Sequence, residues 1–177
     1  LAVDPAHPFP FISNLSFNIA ALIRDPDTGE QQFARVKVPQ KNLPRFIKMP
    51  LELAGQEGLL YTAIALEQVV ANNLGLLFPG MSVEAHYTFR VTRDADLELR
   101  ELEADDLMNA LQEGLRRRRM GGEVVRLEVA DDMPSDVIGL LMEGMAVEQE
   151  DVYQISGPLG LDDLFALTGV PLPKFKD

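Results

Sequence analysis

Leu15, Phe17, Ile19, Ala21 and Ile23 fall on one side of an extended chain, and Ser16 and Asn18 on the other. That alternation predicts a half-buried strand. Asp25-Pro-Asp-Thr-Gly29 has turn chemistry, with Pro fixing φ and Gly accepting a positive one. A second run at Phe33 to Val38 completes an antiparallel hairpin. Before it, Asp4 to Phe11 carries three prolines and reads as an extended lead-in. Arg45 to Met49 is a shorter strand between prolines, and Pro50 to Gly58 a surface loop.

The period then changes. Leu66, Val69, Val70, Leu74 and Leu77 have helical spacing, stopped by Phe78-Pro79-Gly80. Val83 to Thr92 returns to strand, with Val83, Ala85, Tyr87, Phe89 and Val91 on one face and Glu84, His86, Thr88, Arg90 and Thr92 on the other. Leu107, Met108, Leu111 and Leu115 form a second helical stripe, with Asp105 and Asp106 in its first turn and Arg116 to Arg119 in its last. Val124 to Val129 is a strand, and Pro134 opens a third helix with Ile138, Leu141, Met142 and Met145 on one face. A short strand, Val152 to Ile155, and a short helix, Leu161 to Leu167, close the pattern. A hairpin followed by alternating helices and strands predicts an α+β fold with a mixed β-sheet, in a single domain over residues 1–177.

Composition narrows the chemistry. The 177 residues suffice for one domain with a sizeable core. No apolar run approaches the roughly 20 residues of a membrane-spanning helix. Without cysteine there are no disulfides, thiolate metal sites or cysteine nucleophiles, and two histidines make a multi-histidine metal centre a poor fit. A net charge of −12 opposes whole-surface attraction to nucleic acid. The charge is uneven, however: Gln31 to Leu51 contains no acid but holds Arg35, Lys37, Lys41, Arg45 and Lys48.

Candidate chemistry centres on FRVTRDADLEL, Phe89 to Leu99. Arg90 lies between Thr88 and Thr92 on the polar face, an arrangement that can donate to a phosphate. Equally, Arg90 can pair across the sheet with a carboxylate such as Glu128. Arg93 has the parity of the apolar face, so the strand should end near it. His86 lacks any nucleophile motif beside it and reads as structural; His7 precedes a proline in the lead-in. Asp105-Asp106, Asp131-Asp132 and Asp162-Asp163 sit where helices begin, as capping and dipole compensation require. The four arginines at 116–119 point in different directions around a helix end, which suits a solvated or interface terminus better than a nucleic-acid patch.

Six blocks taken together carry a resemblance: PFPFISNLSFN (Pro8 to Asn18), FARVKVP with LPRF (Phe33 to Phe46), NNLGLLFPGM (Asn72 to Met81), FRVTRDADLEL, LRRRRMGGEVVRLEV (Leu115 to Val129) and DVYQISGPLGLDDLF (Asp151 to Phe165). In this order they resemble the middle, or head, domain of the long bacterial polyphosphate kinases. The resemblance implies a parent that reversibly transfers the terminal phosphate of ATP to polyphosphate through a phosphohistidine, using Mg²⁺. It also implies N-terminal and C-terminal partner domains, a homodimer, and a cytoplasmic parent open to peripheral contact with a membrane. The family's phosphorylated histidine and its nucleotide and metal contacts belong to motifs outside this chain, so no catalytic residue and no cofactor of the fragment itself is implied. The head's implied part is dimerisation, domain packing and the shaping of a polyphosphate tunnel. The opening at Leu1 rather than Met and the tail Pro171 to Asp177 suit an excised middle. On this reading Arg35, Lys37, Arg45, Arg90 and Arg93 are candidate contacts for polyphosphate or for a neighbouring domain's acids. Two other classes compete: an independent anion-binding regulatory module, and a small phosphotransferase using His86.

Overall fold

A computed structural model describes residues 2–3, 9–40, 43–55, 59–94 and 122–170. The predicted α+β class is observed, with a mixed sheet at its centre. Strands β1 (Ala2–Val3), β2 (Phe17–Arg24), β3 (Gln31–Lys37), β6 (Ser82–Arg93), β7 (Val124–Ala130) and β8 (Val152–Ile155) form one sheet in the order β1-β3-β2-β6-β7-β8. All its pairs are antiparallel except β7 with β8. A separate two-stranded ribbon joins β4 (Phe46–Lys48) to β5 (Ala63–Ala65).

The expected hairpin is β2–β3. Its turn is held by Asp25, whose carboxylate accepts from the Asp27 and Thr28 amides at 2.8 and 3.2 Å, while Gly29 takes φ 74°. Those two amide bonds hold the Asp25 carboxyl below its ordinary range.

Strand β2 differs from expectation in being covered on both faces. Asn18 and Ala20 are as inaccessible as Phe17 and Ile19, because core clusters cover both sides of the sheet at β2. Leu15 lies outside the strand; its φ of 56° takes the chain through a left-handed corner, and its side chain is exposed. One side of the sheet buries Phe33, Phe89, Val91, Leu127 and Val129 with Ile12 of the lead-in. Helix α3 (Ser135–Met145) covers this side through Val137, Ile138 and Leu141, with Met142 and Met145 against the same cluster. The other side buries Phe17, Ile19, Ala21 and Ile23 with Leu66, Leu74 and Leu159.

Local departures have local causes. A bulge opposite Leu22/Ile23 turns Val83 into the second cluster, away from the face of Tyr87, Phe89 and Val91 where simple alternation puts it. The stripe from Leu66 to Leu77 breaks into α1 (Leu66–Asn72) and α2 (Leu74–Leu77). The side-chain amides of Asn72 and Asn73 donate to the Gln68 and Val69 carbonyls at 2.8 Å each, and Asn73 leaves helical geometry. Leu74 is therefore buried while Leu76 and Leu77 face solvent. The closing helix, Leu161–Gly169, is 3₁₀ rather than α and contains no buried residue. The stripe around Leu107 to Leu115, the arginines at 116–119 and His7 lie outside the described residues.

Candidate functional site

The chemistry concentrates on the Phe17 side of the sheet. Arg45, just before β4, lays its guanidinium carbon 4.0 Å from the Phe17 ring centre, and Arg90 of β6 approaches the same ring at 5.8 Å. Both arginines are buried, as are their inner partners Glu67 of α1 and Glu128 of β7, each at 8% exposure. Burying a charge requires a partner in good geometry, and the local structure supplies one for each.

Every N–H of Arg45 is engaged. Nε and Nη2 donate to Glu67 Oε1 at 3.1 and 2.8 Å; Nη1 donates to the Gly160 carbonyl at 2.8 Å and to Asp163 at 3.1 Å; Nη2 also donates to the Leu159 carbonyl at 2.7 Å. All five donors are used, the most a guanidinium can do, on four acceptor atoms, since Glu67 Oε1 accepts twice. Arg45 thereby ties the SGPLGLDDLF segment to the sheet across more than a hundred residues of sequence. Arg90 stands directly opposite Glu128 in the β6–β7 register and donates Nη1 to it at 3.0 Å. Its Nη2 donates to both oxygens of Asp162 at 3.2 Å, and its buried Nε has no hydrogen-bond partner. Arg126 shares Glu128 at 3.1 Å and stacks on Tyr153 at 4.1 Å.

Gly160 makes this closeness possible. It takes φ 56°, and a Cβ there would lie 2.8 Å from Phe17 Cζ and 3.0 Å from Arg90 Nε.

The remaining candidate cations face other atoms of the same N-terminal segment. Arg93 donates Nε to the Ile12 carbonyl at 2.7 Å and Nη1 to the Gly122 carbonyl at 2.9 Å, and stacks over Phe11 at 4.4 Å. Arg35 donates to Asn18 Oδ1 at 2.9 Å, and Lys37 to the Ser13 hydroxyl. Partial burial pulls the Arg35 and Arg93 guanidiniums below their ordinary values. All five candidates thus touch Phe11 to Asn18, but from two sides of the sheet: Arg45 and Arg90 at Phe17, the others around Phe11 to Ser13 and Asn18.

Sequence reasoning missed Glu67, Gly160, Asp162 and Asp163. The two aspartates do stand at a helix start, yet they cap nothing there; Gly160 is the capping position, and their carboxylates turn to Arg90 and Arg45. His86 is exposed on β6. Among the described residues no three carboxylate or imidazole groups come together to hold a metal ion. A depression of about 470 Å³ between α3 and β8, lined by Ser135, Ile138, Gly139, Met142, Gln149, Val152 and Gln154, presents no charged side chain to an anion.

The profile of the polyphosphate kinase middle domain matches residues 1–167. The chain belongs to the polyphosphate kinase family, as its middle domain. It is 71% identical over 178 residues to the polyphosphate kinase of Parasynechococcus marenigrum and 46% identical over 179 residues to that of Mycobacterium ulcerans. Each alignment takes in 100% of this chain, but only 25% and 24% of the relative. This middle domain thus spans about a quarter of the length of the curated relatives it matches. In fold it is similar to the crystal structure of polyphosphate kinase from Porphyromonas gingivalis, with a TM-score of 0.70 at 22% identity, over 99% of this chain and 23% of that one. Among the described residues no helix of the middle domain is long and apolar enough to cross a membrane.

Proposed function

We propose that the chain is the non-catalytic middle domain of a cytoplasmic polyphosphate kinase, which moves the terminal phosphate of ATP reversibly onto polyphosphate through a phosphohistidine. In this role residues 1–177 act as one domain that supports domain packing and dimerisation and borders the path of the polyphosphate. The observation that carries the reading is the family match over residues 1–167, in a chain a quarter as long as its relatives. The clamp agrees with it. Arg45 and Arg90 fasten a distant segment to the sheet, the work of a scaffold rather than of a catalytic group.

Mg²⁺ and ATP are assigned to the rest of the parent. The carboxylates of the clamp are already bound by arginines, which agrees with that assignment. Of the candidate anion contacts, Lys37 lies most open to solvent, whereas Arg35 and Arg93 are partly covered.

The test is phosphotransfer from labelled ATP into acid-insoluble polyphosphate, run on this chain and on the longer kinase that contains it. Turnover by the longer protein and none by the chain supports the reading. Turnover by the 177 residues alone overturns it in favour of a self-sufficient phosphotransferase.

A further inference from the structure

The two arginines of the clamp are built alike. Each is held from within by a buried glutamate whose side chain is about a tenth exposed, Glu67 for Arg45 and Glu128 for Arg90. Each is capped from outside by an aspartate, and the caps are neighbours in sequence: Asp163 at 35% exposure and Asp162 at 62%. The inner carboxylates are fixed by α1 and β7. The outer ones ride on Leu161–Gly169, a 3₁₀ segment without a single buried residue, and a 3₁₀ run of this length is an uncommon, poorly hydrogen-bonded conformation. The deeper anchors, Leu159 and the carbonyls of Leu159 and Gly160, lie before that segment and do not depend on the aspartates.

We propose that Asp162 and Asp163 are an internal stand-in for two consecutive phosphoryl groups of a condensed phosphate, which takes their places on Arg90 and Arg45. Two sequence-adjacent carboxylates sit on two arginines that share the Phe17 ring, which puts two anion seats side by side, and arginine is well suited to phosphate oxygens. The ligand needs only the outer bonds: four of the five Arg45 bonds and the Arg90–Glu128 pair stay in place. Arg90, itself 8% exposed, also keeps a buried Nε without an acceptor, a donor in reserve for an incoming oxygen. The displaced aspartates return to water from their partly exposed positions, and the incoming phosphate oxygens replace them as counterions of the two buried arginines. Residues 161–169 then swing free beyond Gly160, whose positive φ already marks a corner. The choice of ligand class rests on the proposed function; the exchange itself is a property of the clamp.

The experiment is equilibrium binding of sodium tripolyphosphate to the full 177-residue chain, with amide hydrogen exchange followed across 161–169, at an ionic strength held constant with sodium chloride. Asp162→Asn/Asp163→Asn removes the internal competitor and should tighten binding by at least about twofold, the lower bound set by two weak ion pairs. Asp131→Asn/Asp132→Asn makes the same change of charge at two exposed residues elsewhere and should leave affinity unchanged. In the wild type, tripolyphosphate should speed exchange within 161–169 while the sheet stays protected. Equal tightening by both pairs of substitutions, unchanged or weaker binding by Asp162→Asn/Asp163→Asn, or acceleration reproduced by sodium chloride alone overturns the proposal. So does the absence of binding to every form. None of these results touches the phosphotransfer assay, so failure here is separable from failure of the functional reading.

Discussion

Replacing Arg45 by Met keeps length and packing but removes five donors at once. Glu67 is left as a buried carboxylate without a counterion, and the Leu159 and Gly160 carbonyls lose their partner. Breaking one side of a buried ion pair costs about 3–5 kcal/mol, a large share of the 5–15 kcal/mol that typically separates folded from unfolded. With a urea dependence near 2 kcal/mol/M, the midpoint should fall by about 2 M. The chain has no tryptophan, so far-ultraviolet circular dichroism is the readout. Arg45→Met/Glu67→Met takes away the stranded charge as well and should recover about 1–2 kcal/mol, a coupling normal for residues in contact. Arg24→Met, which breaks an exposed pair with Glu84, should move the midpoint far less. The reasoning is refuted if Arg45→Met and Arg24→Met shift it equally, or if the double substitution is no better than Arg45→Met alone.

Two further perturbations probe other parts of the fold. The hydrogen bond from Arg24, then that from Gln31, holds the Glu84 carboxyl below its ordinary range. A depressed carboxylate stabilises above its unfolded pKa, about 4.3 for glutamate, and loses that contribution as pH falls through the folded value. Glu84→Gln should therefore flatten the acid limb of a stability–pH curve below about pH 4 while leaving the neutral plateau nearly parallel; an unchanged acid limb contradicts it. On α3, a Cβ on Gly144 would lie 2.3 Å from the Phe9 ring, whereas Gly139 has open space. Gly144→Ala should cost about 1–3 kcal/mol through overpacking, and Gly139→Ala should gain about 0.5–1 kcal/mol from helix propensity. Thermal melts of the two variants should move in opposite directions, and a shared direction refutes the packing argument.

Strand order along the chain was legible because apolar period and turn residues agree at the hairpin, at β6 and at β8. What sequence could not yield was which strands are covered on both faces. Asn18 reads as a solvent-facing residue of a half-buried strand, yet it is fully buried because both faces of the sheet are covered at β2, and its side chain is satisfied by Ser16 and Arg35. Bulges defeat alternation in the same way at Val83. The Arg90–Glu128 pair could be read from parity and strand neighbourhood, whereas the Arg45 network could not. Its acceptors come from α1 and from a segment over a hundred residues away, and two of them are backbone carbonyls, which carry no side-chain signature. Asp162-Asp163 had a sufficient local explanation as a helix start, and that explanation hid their tertiary partners.

The central claim is that the chain contributes structure while the phosphoryl-carrying histidine of the kinase lies elsewhere. The chain's two histidines, His7 and His86, allow a direct test. Both are replaced by Ala in the longer kinase, and covalent labelling by γ-labelled ATP is measured as an acid-labile, base-stable phosphohistidine. The account predicts full labelling and continued polyphosphate synthesis. Loss of the label from a folded His7→Ala/His86→Ala protein would contradict it and move the catalytic histidine into this domain.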